Sequence, residues 1–265
     1  MKTAFDIIRL TPKTNCGECG FETCIVFAVS VIGGNCKVGL CPYIKDKAHG
    51  VNNERAGIAG EISPDTALLK ELKSKVKSAD LAKRADGLGA EAIEEGGQTA
   101  LKLPYLGSEV TISAKGAKDL NGHELDPRDQ ILLYNYIFFG GSGPLTGQWI
   151  GLESLPNSIS KVVTLRRYAE DKLAEAFGGN IEGLKKAAGR LSASLIDPCH
   201  ADLCLIVPVL PRVPVQLHFW DQDTEEGFGP RVKALFDRRV LDFLDIESLI
   251  FASERTAEAI IAQTS

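Results

Sequence analysis

Five of the seven cysteines crowd into one short segment, Cys16 to Cys41, and that crowding is the strongest chemical signal in the chain. The run reads Cys16-x2-Cys19-x4-Cys24, with a more distant Cys41 followed directly by Pro42. A cubane iron–sulfur cluster needs four thiolates converging from a compact loop whose backbone can wrap the inorganic core. Gly17 and Gly20 suit that wrap, because glycine takes dihedrals closed to other residues. Cys24 opens an apolar run, Ile25 to Ile32, which reads as a helix stopped by Gly33-Gly34. The positive end of that helix would favour an anionic thiolate group. Phe21, Phe27 and Val31 are placed to keep water away, one lever on reduction potential. The expectation is one [4Fe-4S] cluster ligated by Cys16, Cys19, Cys24 and Cys41. Zinc is the plain competitor, but its common sites pair two knuckles of similar length, unlike a triplet with a distant fourth. Cys36 is the alternative fourth ligand, set behind Cys41 because of the Cys-Pro exit.

These cysteines need elements to position them. Residues 3 to 10 can form a short helix ending before Pro12, with Phe5, Ile7 and Ile8 on its apolar side. Residues 1–45 are therefore read as a cluster domain, 46–64 as a polar, Gly-punctuated linker, and 65–265 as a larger domain. In that domain Leu68, Leu72 and Val76 recur at helical spacing after Pro64. Leu101, Leu103 and Tyr105, then Val110 and Ile112, alternate as two strands around a Leu106-Gly107 turn. Asp126-Pro127 starts a helix leading into ILLYNYIFF, and GGSGPLTGQ reads as a loop before a short strand at Trp149. Helices follow over 160–177 and 181–191, then strands Leu203 to Val209 and Val213 to Trp220, with a further strand at Lys233 to Phe236. A terminal helix begins near Asp245. Helices and strands mix without regular alternation, so the fold class is α+β.

Other candidate sites have plain readings beside them. Gly140-Gly141-Ser142-Gly143 could cradle phosphate or admit a flat cofactor, but it lacks the ending of a P-loop and suits a flexible loop. His218, sharing a strand face with Gln216 and Trp220, could ligate cobalt or haem iron, or simply sit in a sheet. Cys199, His200 and Cys204 could hold a second metal or form a redox pair, while Cys204 fits a buried small hydrophobe. Lys70, Lys73, Lys75 and Lys77 could dock an acidic redox partner or be merely solvated. Tyr134, Tyr136, Phe138 and Phe139 read as core. No nucleophile with an evident base stands out, so a hydrolase has no residues to rest on.

Composition narrows the field further. A formal net charge of −5 argues against a general nucleic-acid binder, which needs a basic footprint. The longest apolar stretch, Cys24 to Ile32, falls well short of the roughly 20 residues a membrane helix requires. With no basic leader at the start, the cytoplasm is the expected location, and crowded cysteines there mean metal or redox chemistry rather than a disulfide framework.

The segment LTPKTNCGECGFETCIVFA, with CPYI after it, resembles the N-terminal cluster domain of the large subunit of corrinoid/iron–sulfur proteins of anaerobic acetyl-CoA synthesis. The resemblance spans about residues 7 to 44 and implies the same ligands: Cys16, Cys19, Cys24 and Cys41. It implies a cluster that passes single electrons to a cobalt corrinoid inactivated by oxidation. Residues 64–265 resemble instead a domain of unknown function found behind the same module in proteins of anaerobes. Pro144-Leu145-Thr146-Gly147-Gln148-Trp149-Ile150, Leu210-Pro211-Arg212-Val213-Pro214 and Leu235-Phe236-Asp237 carry that second likeness. The expected function is one-electron transfer to a redox partner protein, such as a corrinoid protein. The alternative is that residues 64–265 themselves hold a corrinoid, another tetrapyrrole or a flavin served by the cluster. The lack of an Asp-x-His-x-x-Gly motif sets aside the base-off corrinoid fold of methyltransferases. In a third reading, cluster or zinc merely staples a domain too small to build its own core.

Overall fold

The computed structural model describes residues 7–14, 16–21, 23–32, 36, 38–44, 64–223 and 225–264. It divides into two compact units, Met1–Glu61 and Ile62–Ser265. Within the first, α1 spans Cys24–Ile32 and a single 3-10 turn spans Val38–Leu40. Of the N-terminal helix expected over 3–10, Ile7 and Ile8 are helical, and residues 3–6 lie outside the described residues. The glycine stop at 33–34 and most of the linker, residues 46–63, lie outside them too.

The second unit is α+β, built on two antiparallel sheets. Its first sheet is a meander of β1 (Glu91–Glu95), β2 (Gln98–Tyr105), β3 (Ser108–Ser113) and β4 (Gly116–Lys118). The Leu106-Gly107 turn has positive φ at both positions, 46° and 80°, as a tight hairpin turn demands. The resulting register sets Leu101 opposite Ile112 and Leu103 opposite Val110, so one face of this sheet is apolar. The second sheet comprises β5 (Trp149–Gly151), β6 (Ser194–Leu195), β7 (Leu203–Leu210), β8 (Val213–Trp220) and β9 (Arg231–Asp237), ordered β5-β9-β8-β7-β6. Alternation on β8 is as read, with Val213, Val215, Leu217 and Phe219 buried, but Gln216 on the opposite face is buried as well. The two sheets meet where Leu106 N–H donates to the Val209 carbonyl at 3.1 Å.

Helices cover the sheets from α2 (Pro64–Lys77) and α3 (Leu81–Leu88) through α4 (Pro127–Phe139). After these come α5 (Val162–Leu165), a π-turn (Arg166–Glu170), α6 (Asp171–Phe177), α7 (Ile181–Gly189) and α8 (Ile246–Ala262). Capping follows side-chain chemistry: Asp126 accepts from Arg128 N–H at 2.8 Å, and Asp245 from Ser248 N–H at 2.6 Å. The apolar stripe of α2 differs from the expected one. Leu69, Leu72 and Val76 are buried, whereas Leu68 is 43% exposed. A stripe at i, i+3, i+7 passes through Leu69, and the seemingly equivalent Leu68 falls one position off it.

Buried polar groups tie α4 and α8 to the first sheet. Asp129, 6% exposed, accepts from the Tyr105 hydroxyl at 2.7 Å. Arg255 of α8 grips both carboxylate oxygens, Nε at 2.7 Å and Nη2 at 2.8 Å. The carboxylate raises the Arg255 pKa above its already high ordinary value, chiefly through these hydrogen bonds. Burial and Asp129 likewise hold the Tyr105 hydroxyl protonated. A buried carboxylate stripped of its countercharge is costly, although Arg255 keeps 21% of its side-chain surface in water, which screens the pair. Arg255→Ala is therefore expected to destabilise the protein by about 2–3 kcal/mol, near the low end for a buried pair. Lys75→Ala, which breaks only the exposed pair with Glu71, should leave the thermal unfolding midpoint unmoved.

Candidate metal centre

The loop from Cys16 to Cys24 is shaped by its backbone. Gly17 and Gly20 have φ of 76° and 82°, and Gly20 N–H donates to the Gly17 carbonyl at 2.8 Å. A Cβ at either would meet nothing within 4 Å, so what excludes other residues is the dihedral and not crowding. Thr23 then caps α1: its hydroxyl accepts from Val26 N–H at 3.2 Å, and its carbonyl receives Phe27 N–H at 3.0 Å. Cys24 thus opens the helix, at its positive end. Val38–Leu40 delivers Cys41, and a turn closed by Ile44 N–H to the Cys41 carbonyl, 3.1 Å, carries the chain away through Pro42.

Burial grades the thiols. Cys24 and Cys41 are 8% and 3% exposed, Cys19 and Cys36 are half-buried, and Cys16 is exposed. Cys41 belongs to a small apolar core with Ile7, Phe27, Ala28, Val38 and Ile44, against which Cys19, Phe21 and Cys36 pack. The Phe21 and Phe27 rings lie 5.7 Å apart between centroids. Residues distant in sequence are brought together here. The Tyr43 hydroxyl donates to Glu18 at 2.8 Å, joining the Cys16–Cys19 loop to the Cys41 exit. Glu18 raises the Tyr43 pKa, first by that hydrogen bond and then by its charge, with lesser contributions from burial, Cys16 and Cys41. Cys36 lies near Cys19: burial raises its thiol pKa, and Cys19 adds to the shift.

Among the described residues no three His, Cys, Asp or Glu side chains converge closely enough to hold a single metal ion. A cubane asks for something different, one thiolate at each of four separate irons around a bulky sulfide core. The donor set fits that demand in kind, with soft thiols, two glycine-shaped turns, a helix N-terminus and an aromatic wall.

The remaining candidates fall elsewhere. Cys199 and Cys204 are joined as a disulfide with Cα atoms 5.9 Å apart, so they are not two free ligands beside His200. His218 lies opposite Cys204 on β8, with Nε2 2.6 Å from the Gln216 side-chain nitrogen and its ring 5.9 Å from Trp220. Burial lowers its pKa, with His200 adding to the effect. Of the α2 lysines, Lys75 pairs with Glu71 at 2.6 Å and Lys73 reaches Glu124 at 3.9 Å. Tyr134 and Tyr136 are core, donating to the Ser113 and Leu88 carbonyls, but Phe139 is 46% exposed. Gly140–Gly143 leaves the end of α4 and lines a cavity together with Lys83, Arg84 and Arg212, three cations that sequence inspection passed over. Lys83 and Arg84 are neighbours on α3, but Arg212 lies 128 positions further on, and only the fold brings the three to one cavity. Among the described residues no helix is long and apolar enough to cross a membrane.

Residues 12–43 match the model of a family described as "Putative Fe-S cluster". The corrinoid/iron–sulfur protein large subunit of Moorella thermoacetica is 30% identical over 134 residues, covering 49% of this chain and 25% of that protein. Acetyl-CoA decarbonylase/synthase complex gamma subunits are similar over shorter stretches. That of Methanopyrus kandleri is 39% identical over 46 residues, 17% of this chain and 10% of the relative. That of Archaeoglobus fulgidus is 26% identical over 102 residues, 38% of this chain and 19% of the relative. The chain thus spans a quarter or less of the length of the curated relatives it matches. No solved structure matches it. Residues 80–259, more than half of the chain, match the model of a domain of unknown function (DUF3786), and the chain belongs to that family.

Proposed function

We propose that this chain carries one [4Fe-4S] cluster on Cys16, Cys19, Cys24 and Cys41 and passes single electrons to a partner protein in anaerobic corrinoid-linked one-carbon metabolism. The observations that support the reading are Cys19 and Cys41 at one small core, Gly17 and Gly20 with positive φ beside Cys16 and Cys19, and Cys24 at a helix N-terminus. The names of the relatives supply the metabolic setting. The working division is a cluster domain over residues 1–45, a linker over 46–64 and a partner-facing domain over 65–265, consistent with two compact units.

Each part of the segment has a task in this scheme. The cluster, when bound, supplies a reversible one-electron couple. Gly17 and Gly20 let the backbone turn tightly around it, and α1 offers its positive end to the thiolate of Cys24. Phe21 and Phe27 limit water on one side, while the exposed Cys16 marks the side open to solvent. The Tyr43–Glu18 hydrogen bond holds the first and last ligand segments in one frame.

Protein isolated without oxygen is expected to contain iron and sulfide and to give, after reduction, the EPR signal of a one-electron-reduced cubane. Zinc alone in a colourless protein would defeat the proposal. Cys41→Ser should lose most bound iron and sulfide, whereas Cys36→Ser should keep them. Loss confined to the Cys36 variant would move the fourth ligand to that residue.

A further inference from the structure

A cavity of about 800 Å3 opens in the second unit where α3 and α4 end. That volume lies within the range of small-molecule sites. Lys83, Arg84 and Arg212 contribute cations to its lining, and Asp86 one carboxylate. Both helices point their negative ends here, through left-handed caps at Gly89 and Gly140, each equivalent to about half a charge. Arg84 Nη1 spans the Ile137 and Phe138 carbonyls at 2.7 and 3.2 Å, and Arg212 Nε reaches the Gly87 carbonyl at 3.3 Å. Three cations against one carboxylate and two helix ends leave a surplus of about one positive charge. Lys83 also pairs with the exposed Asp80 at 2.9 Å, which offsets much of that surplus and leaves Arg84 and Arg212 as the cations that bear on the site.

Donors are left over as well. Among the described residues, Arg84 Nε and Nη2 have no hydrogen-bond partner, and neither has Arg212 Nη1. Among the described residues the backbone N–H groups of Gly141, Ser142 and Gly143 likewise have no acceptor. The glycines partly serve close packing, since a Cβ at Gly141 would sit 2.8 Å from the Phe243 ring, and Gly143 has a φ of 96°. Packing accounts for their small size and not for three successive N–H groups without acceptors, among the described residues, beside two arginines. Beside them Phe139 is 46% exposed and Pro144 is exposed, an apolar surface next to the cations. The segment is held in place from behind. Arg239 Nη2 donates to the Ser142 carbonyl at 3.0 Å and Nη1 to that of Pro144 at 3.3 Å.

We propose that this cavity binds a phosphate group joined through a sugar or sugar-alcohol chain to a flat ring, the chemistry of a nucleotide. The phosphate lies against Arg84, Arg212 and the Gly141–Gly143 N–H groups, and the ring lies on Phe139. The site belongs to the second unit alone and does not depend on the cluster assignment. FMN and ADP are the probes, titrated onto the full chain by calorimetry, with riboflavin and adenosine as their phosphate-free counterparts. At least one phosphorylated probe should bind, about tenfold or more tighter than its counterpart, and more weakly as salt is raised. Ser142→Glu places a carboxylate in the cavity without breaking a side-chain contact, and Lys83→Glu reverses an exposed charge. Each should weaken binding about tenfold with no change in the thermal unfolding midpoint. Failure of both FMN and ADP to bind at millimolar concentration overturns the proposal, as does equal binding of the phosphate-free counterparts or unchanged binding in both variants.

Discussion

Between Ile7 and Ile44 the described core consists of Ile7, Phe27, Ala28, Val38, Cys41 and Ile44, and one of those six is itself a cysteine. Chains of this size bury too small a fraction of their surface to stand alone, and they usually borrow stability from metals, disulfides or partners. Everything proposed for the first unit grows from that shortage. Thiols that pack as small hydrophobes become, when they hold iron and sulfide, both the missing part of the core and the redox centre. In the proposed scheme, sulfur near solvent would let electrons pass, and the thiols grade from buried Cys41 to exposed Cys16.

The second unit solves the opposite problem, fixing buried charge inside an ample core. Two carboxylates do so by different means. Asp129 is met by a cation and a phenol, Arg255 and Tyr105. Asp237, 1% exposed, takes the Thr146 hydroxyl and the Gly147 and Arg239 N–H groups, gathering the loop after α4 onto the end of β9. Arg239, positioned in that way, grips the Ser142 and Pro144 carbonyls. Three segments distant in sequence, around Pro144, Arg212 and Asp237, therefore meet around one cavity or directly behind its wall.

Much of this architecture was readable from local chemistry. Leu106-Gly107 announces a hairpin turn, Asp126-Pro127 a helix start, and the β8 alternation a strand with one apolar face, because each depends on neighbours a few residues away. The elements that escaped are those whose reason is tertiary or whose pattern is weak. β1 is EAIEE, with almost nothing apolar to alternate, and β4 and β6 are only three and two residues long. Helix α3 is short and carries Gly87 near its end. In the cysteine segment, residue types and spacing suggested a site, but the neighbourhood of Cys36 and Cys19, or of Glu18 and Tyr43, required the folded chain. The Arg255–Asp129 pair, 126 positions apart, leaves no trace in any sequence window.

The unpaired margins of the two sheets have a consequence for life in a crowded solution. An open strand border offers its amides to any passing chain, and long apolar borders invite stacking into fibrils. Here β4, β5 and β6 are too short to template such growth. The one longer border, β1, places Glu91, Glu94 and Glu95 in water, where a second copy aligned against it would face its own negative charge. The same strand that is hardest to recognise from its composition is thereby the one that keeps separate molecules from knitting together.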